Sequence, residues 1–250
     1  TAKLASLGEM ATGVAHELNQ PLTAMLFDAD YLRTRARHTR DGQDDSLDAD
    51  EIHEIAGNLA NDITRCRKII DHLRAFGRVS SGHTTSIDLN RIIRDSFILV
   101  GERLKQNEVI VDLELAPDLP PVLADPNRVE QVFLNLISNA EYAMEEMAQR
   151  IASGQVERDA YQKRLTISTA REGDSVVAMV EDTGAGISEE DQEHLFEPFF
   201  TTKPVGEGTG LGLSISFGIM NEIGGEITCE STEYRGTTFL LHFPLGESAG

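Results

Sequence analysis

The feature that most constrains this chain is a change in hydrophobic period. From residue 2 to 39, apolar residues recur at heptad spacing: Leu4, Leu7, Ala11, Val14, Leu18, then Met25 and Leu32. Pro21 and Asp28 interrupt that seam. A second heptad run covers about 47–78, with Ile52, Ala56, Leu59, Ile63, Cys66, Ile70 and Leu73 as its seam. Ser46 or Asp48 is placed to cap it, and Asp48 with Glu51 makes a capping box. The polar turn "RHTRDGQDDS" joins the two runs. Two such helices on a short turn form an antiparallel hairpin, each with one apolar stripe. A lone hairpin leaves both stripes partly wet, so a second copy is the expected cover, giving a dimeric four-helix bundle.

Past the Gly/Ser/Thr-rich "GRVSSGHTTS" the period shortens to two. "EVIVDLEL" places Val109, Val111, Leu113 and Leu115 on one face, and "RLTIST", "SVVAMVED" and "TTFLLHF" also read as strands. Helices are expected near 90–106, 126–150, 189–196 and 211–223, with Asp125 and Pro126 as N-cap and first residue of the second. "RIASGQVERDAYQKR" reads as a surface excursion. There is no strict βαβ alternation, so a mixed sheet with helices on one face is expected. The expected organisation is 1–78 hairpin, 79–86 linker and 87–246 α/β domain.

Charge narrows the function. The 250 residues carry a formal net charge of −20, and a phosphate-backbone binder needs clustered Lys and Arg, so nucleic acid is disfavoured as a partner. No apolar run approaches the ~20 residues that span a bilayer. No signal peptide is visible and the chain opens within a helical pattern, which suggests a piece of a longer protein, any membrane contact lying in parts outside it. Cys66 and Cys229 fit no metal or redox spacing and read as buried free thiols in a reducing, cytoplasmic setting.

Four stretches carry chemistry. In "VAHELNQPL", His16 falls at the outermost heptad position. A solvated histidine is the common fate there, but the adjacent Glu17 is suited to hold one ring nitrogen and leave the other free as a nucleophile. Pro21 removes the helical hydrogen bond to the Glu17 carbonyl, so a bend is expected beside the histidine. In "VEQVFLNLISNAEYAM", Gln131, Asn135 and Asn139 form a polar stripe at i, i+4, i+8, and amide oxygens suit Mg²⁺. In "EDTGAGI", Asp182 ends a strand, positioned to accept from an exocyclic amine, and Gly184 and Gly186 would let backbone approach a flat ring. In "GEGTGLGLSIS", Gly206, Gly208, Gly210 and Gly212 lead into a helix, as a phosphate cradle does, and Lys203 is the sole cation between Arg171 and Arg235. The spacing is that of neither a dinucleotide fold nor a P-loop.

In this order, "AHELNQPL", "NLISNA", "EDTGAGI", "LFEPFFTTK" and "GTGLGLSIS" resemble the H, N, G1, F and G2 boxes of bacterial sensor histidine kinases of two-component systems. "HELNQPL" looks most like the subgroup of oxygen- and C4-dicarboxylate-sensing kinases. The resemblance implies a homodimeric phosphotransfer hairpin followed by an α/β sandwich of the Bergerat (GHKL) type that binds ATP and Mg²⁺. It implies autophosphorylation and transfer to an aspartate of a response regulator receiver domain. His16 would be the phosphoacceptor and Glu17 its acid/base neighbour. Asn139 would be the Mg²⁺ ligand, supported by Asn135. Asp182, with Gly184 and Gly186, would read adenine, and Thr237 of "GTTF" would lie near it. Lys203 and the segment Gly208, Thr209, Gly210, Leu211, Gly212 would serve the triphosphate.

Two positions depart from the family pattern. Tyr142 stands where many members carry a cation, and Gln20 stands where many carry Thr or Asn, which bears on phosphatase activity. The alternatives are a catalytically dead nucleotide-binding dimer and an ATPase of the same superfamily; the latter places a Glu base where this chain has Asn135, and an amide cannot be that base.

Overall fold

The computed structural model describes residues 2–40, 48–77, 84–204 and 208–245; in its first two helices, the side chains of 2–17, 39–40, 65 and 67–77 are outside that description. Ser46, Gly206, most of the turn at 37–46 and most of the linker therefore lie outside the described residues, as do the side chains of Leu4, Leu7, Ala11, Val14, Ile70 and Leu73. The chain forms two compact units. One comprises 1–78 with 203–209, and the other 79–202 with 210–250.

In the first unit, α1 (Ala2–Arg40) runs unbroken through Pro21, and α2 (Ala49–Gly77) returns beside it. Asp48 caps α2 by accepting from the Glu51 N–H at 2.7 Å. The reciprocal half of the capping box is replaced: the Glu51 carboxylate accepts from the Tyr31 hydroxyl and from Arg35 on α1. Leu18, Met25 and Leu32 are half-buried, as expected, and Pro21 and Asp28 lie on the same inward stripe rather than breaking it. The seam of α2 differs in part from expectation, which Leu59 and Cys66 meet. Ile55, Leu59, Asp62 and Cys66 turn inward, while Ile52, Ala56 and Ile63 are exposed. Both stripes obey a heptad, and the sequence could not say which one the partner helix covers.

The second unit is an α/β sandwich. β1 (Thr85–Ile87) and β3 (Val122–Ala124) form a small antiparallel pair. The main sheet runs β2 (Ile110–Leu115), β4 (Arg164–Glu172), β5 (Ser175–Asp182), β7 (Gly236–Pro244), β6 (Glu226–Thr232). It is mixed, because β2–β4 is parallel and the other pairs are antiparallel. The helices are α3 (Leu89–Gln106), α4 (Pro126–Ala152), α5 (Glu189–His194) and α6 (Gly212–Glu222). Asp125 caps α4 through the Asn127 N–H, with Pro126 in its first turn. Phe133, Leu136, Ile137 and Met144 of α4 are buried in one core with Leu165, Ile167, Phe239, Leu241 and Phe243 of the sheet.

Strands β1, β3 and β6 were not foreseen. "EITCEST" holds only two apolar residues, and the other two strands have three residues each. The apolar face expected in β2 is incomplete: Val109 is buried, but Leu113 is 41% exposed, because β2 is an edge strand.

Candidate functional site

Asp182 ends β5 with its side chain 6% exposed. In the register of β5, β7 and β6, it stands in one row with Thr237 and Ser231. The Gly184 N–H donates to Asp182 Oδ1 at 2.7 Å, a short Asx-type turn. The Thr237 and Ser231 hydroxyls are 2.9 Å apart, and the Ile187 N–H donates to Ser231 Oγ at 2.9 Å. Burial pushes the Asp182 carboxyl up to about 7, against the pull of the Gly184 and Thr237 backbone donors, and nearby Glu181 adds to the rise. Among the described residues no cation contributes to that balance. A carboxyl held in this state, at the wall of a cavity of about 400 Å³, is matched to a ligand donor rather than to a protein cation.

Gln192, Ser231 and Arg235 are among the residues of that wall that were not singled out from the sequence. Gln192 on α5 donates to the carbonyls of Ile187 (2.9 Å) and Ser231 (3.2 Å), tying α5 to β6. Cys229 also lines the cavity; it is half-buried rather than buried, like Cys66, and burial pushes its thiol up to about 12, so it is no nucleophile.

The glycines of "EDTGAGI" have reasons within the protein itself. A Cβ on Gly184 would stand 2.6 Å from Ala143 Cβ and 2.8 Å from Asp182 Oδ1. Gly186 has φ +70°, and a Cβ there would stand 2.1 Å from the Thr232 carbonyl oxygen. The loop is clamped on both sides, since the Ala185 N–H donates to the Ala143 carbonyl and the Tyr234 N–H to the Ala185 carbonyl.

Helix α4 links this loop to the second glycine segment. Asn135 Nδ2 donates to the Gly212 carbonyl (3.0 Å) and to Ser216 Oγ (3.3 Å) at the start of α6. Two turns on, Ala143 meets Gly184. Asn139 lies midway on the same face, so the half-buried amide stands between the two loops, about 6 Å along the helix from each anchor. With its nitrogen donating to α6, Asn135 has its oxygen to offer elsewhere. The donor set is of hard oxygens, which suits Mg²⁺. Among the described residues no group of three or more His, Cys, Asp or Glu is gathered for a metal.

The remaining predicted residues are dispersed. Gly210, Leu211 and Gly212 belong to this unit, while Lys203, Gly208 and Thr209 fall in the unit of the hairpin. Leu211, the N-cap residue of α6, makes no side-chain cap hydrogen bond. His16 and Glu17 lie on α1 with side chains outside the described residues, and Gln20 follows, half-buried.

Residues 6–82 match the His Kinase A (phospho-acceptor) domain, and 124–247 match the histidine kinase-, DNA gyrase B- and HSP90-like ATPase family. Sensor kinase CckA of Brucella abortus (strain 2308) is 36% identical over 97% of this chain and 24% of its own length. Sensor histidine kinase ZraS of Escherichia coli (strain K12) is 32% identical over 97% of this chain and 46% of its own. The chain thus spans about a quarter to a half of these curated relatives. The solved catalytic domain of histidine kinase ThkA is 30% identical, covering 65% of this chain and 95% of that one, with a TM-score of 0.52. ThkA solved in complex with response regulator protein TrrA covers 98% of this chain and 64% of that one at 26% identity, with a TM-score of 0.70.

Proposed function

The chain belongs to the sensor histidine kinases, and we propose that it moves the γ-phosphoryl group of ATP to His16 and on to an aspartate of a response regulator. The observation that carries this is Asp182, a buried carboxyl held by backbone donors, with no cation shifting it among the described residues, facing a cavity beside Thr237. It accepts from the exocyclic amine of adenine, and Thr237 completes the polar row. Gly184 and Gly186 shape the loop that holds the carboxyl. Gly208, Thr209, Gly210, Leu211 and Gly212 bring the triphosphate to the uncapped N-terminus of α6, where backbone N–H groups and the helix dipole favour negative charge. Lys203 neutralises further charge there. Asn139, with Asn135, would hold Mg²⁺, which supplies charge neutralisation and orientation of the phosphates.

One ring nitrogen of His16 attacks the γ-phosphorus in line. The new N–P bond forms as the bond to the bridging oxygen breaks, and ADP leaves. Glu17 holds the other ring nitrogen and balances the charge on the imidazole. Gln20, one helical turn on, carries an amide one methylene longer than Asn, a length that positions water poorly and leaves kinase activity dominant. The boundaries 1–78, 79–86 and 87–246 divide these tasks between phosphotransfer hairpin, linker and catalytic domain. The second copy of the hairpin completes the bundle, and a receiver domain is the partner, in keeping with ThkA solved with its regulator. The finer likeness to oxygen- and C4-dicarboxylate-sensing kinases rests on "HELNQPL" alone. Among the described residues no helix is long and apolar enough to cross a membrane, and the cytoplasm, where ATP is available, is the proposed location.

The test is labelling from γ-labelled ATP. Wild type should acquire acid-labile, base-stable label, and His16→Gln should lose it while retaining nucleotide affinity. Substantial label in that variant would remove His16 from the reaction.

A further inference from the structure

Phe199, like Tyr234, is a left-handed aromatic residue of the second unit, and it meets the second glycine segment. It is a bulky aromatic residue with φ +69°, in the left-handed region that such side chains rarely enter. It follows Pro198, and its ring is partly buried against the core. Its N–H donates to the Gly210 carbonyl at 2.9 Å. Gly210 is itself left-handed at φ +63°, and a Cβ there would stand 2.2 Å from the Phe199 carbonyl carbon and 2.4 Å from its oxygen. The two backbones are therefore fitted to each other. Phe199 must turn left-handed to present its N–H, and Gly210 must lack a side chain to receive it.

What this contact positions is the start of α6. Gly210 is followed by Leu211, which is 3% exposed, and by Gly212, where the helix begins. Leu211 contributes its carbonyl to the first turn, accepting from the Ile215 N–H and the Ser214 hydroxyl at 3.0 Å each. The N-cap residue, Leu211, makes no side-chain cap, and the backbone leading into the helix orients its first amides. Phe196 stacks on Phe217 of α6 with ring centroids 5.3 Å apart, which anchors the same segment further along the helix.

We infer that Phe199 is a positioning residue for the phosphate end of the nucleotide site, and that it acts through its left-handed backbone rather than its ring, by seating Gly210 and hence the first turn of α6. This rests on the reading that the triphosphate lies at that helix end. The experiment compares the affinities of the full chain for ATP and for adenosine by calorimetry. Phe199→Ile is β-branched and resists the left-handed region, whereas Phe199→Gly enters it freely.

In Phe199→Ile the preference for ATP over adenosine should fall about tenfold or more, since a small misplacement of positioning groups is costly, with adenosine affinity unchanged. Gly210→Ala should behave likewise. Phe199→Gly should keep the wild-type preference although its thermal midpoint drops with the lost ring. A role in packing alone gives the reverse order, because Ile refills the space that Gly leaves empty. That reverse order, or an unchanged preference in both Phe199→Ile and Gly210→Ala, overturns the inference. Should Phe199→Ile not fold, Phe199→Gly against Gly210→Ala decides on the same terms. A wild type with no preference for ATP over adenosine refutes the phosphate-site reading itself.

Discussion

At Asp182 the ligand contact we propose and the stability of the fold pull against each other. The carboxyl rises from 3.8 to about 7 because burial penalises the charge. A raised folded-state pKa means that the folded domain holds a proton which the unfolded chain releases near pH 4. The resulting stabilisation is complete below that point, is lost as pH climbs from about 4 to 7, and is absent above. At about 1.4 kcal/mol per unit, the loss is on the order of 4 kcal/mol. Asp182→Asn should therefore flatten the fall in thermal stability of the nucleotide-free protein between pH 5 and 8. It should leave the variant at least as stable as wild type at pH 8, while weakening ATP binding by roughly 1–3 kcal/mol through the mismatched amide. Melting curves at several pH values and calorimetry with ATP check both halves, and a variant that melts lower at pH 8 would contradict the burial account. Asp182 itself was legible in the sequence from its place at a strand end before two glycines. Ser231, in the same row, was not, because a row across three strands depends on register, and register is a tertiary property.

At the level of elements, the two glycine segments differ in what they are for. "EDTGAGI" reads as a place where backbone approaches a ligand, yet Gly186 is fixed by the β6–β7 turn and Gly184 by α4. Gly186→Ala should destabilise the catalytic unit by roughly 2–5 kcal/mol, combining left-handed strain with overlap on the Thr232 carbonyl. Denaturant unfolding measures it. A loss near zero would mean that the turn yields easily and that the glycine serves the ligand after all. Helix α4 was read well from its pattern, since a capped start and a 3.6-residue apolar period agree with each other. Its polar stripe was read as a metal face. The structure adds that Asn135 also braces α6 and that Ala143 braces the loop after β5. Those contacts join positions far apart in the chain, so no local spacing announces them.

For the whole molecule, the hairpin alone leaves too much apolar surface in water. Leu26 and Phe27 are about 70% exposed, at 70% and 71%, and Ile52 and Ile63 are near half, at 48% and 52%. On α2 the exposed isoleucines flank the inward row of Ile55, Leu59 and Cys66, so the helix carries two apolar stripes and the hairpin covers one. A heptad pattern reports that stripes exist but not which neighbour each one meets, which is why Leu59 and Cys66 of the expected seam fell on the inward row and Ile52, Ala56 and Ile63 on the outer stripe. A second copy of the hairpin is the cover we propose for it. The chain should then sediment as a dimer at micromolar concentration. Ile52→Asp with Ile63→Asp places two charges on the outer stripe and spares the inward row, so it should give a monomer whose helix content survives. The catalytic unit lies in a separate compact unit, and its ATP affinity should be unchanged. Sedimentation equilibrium and circular dichroism decide the matter: a wild-type monomer contradicts the bundle, and a double variant that remains dimeric moves the interface away from α2, leaving Leu26 and Phe27 of α1 to supply it.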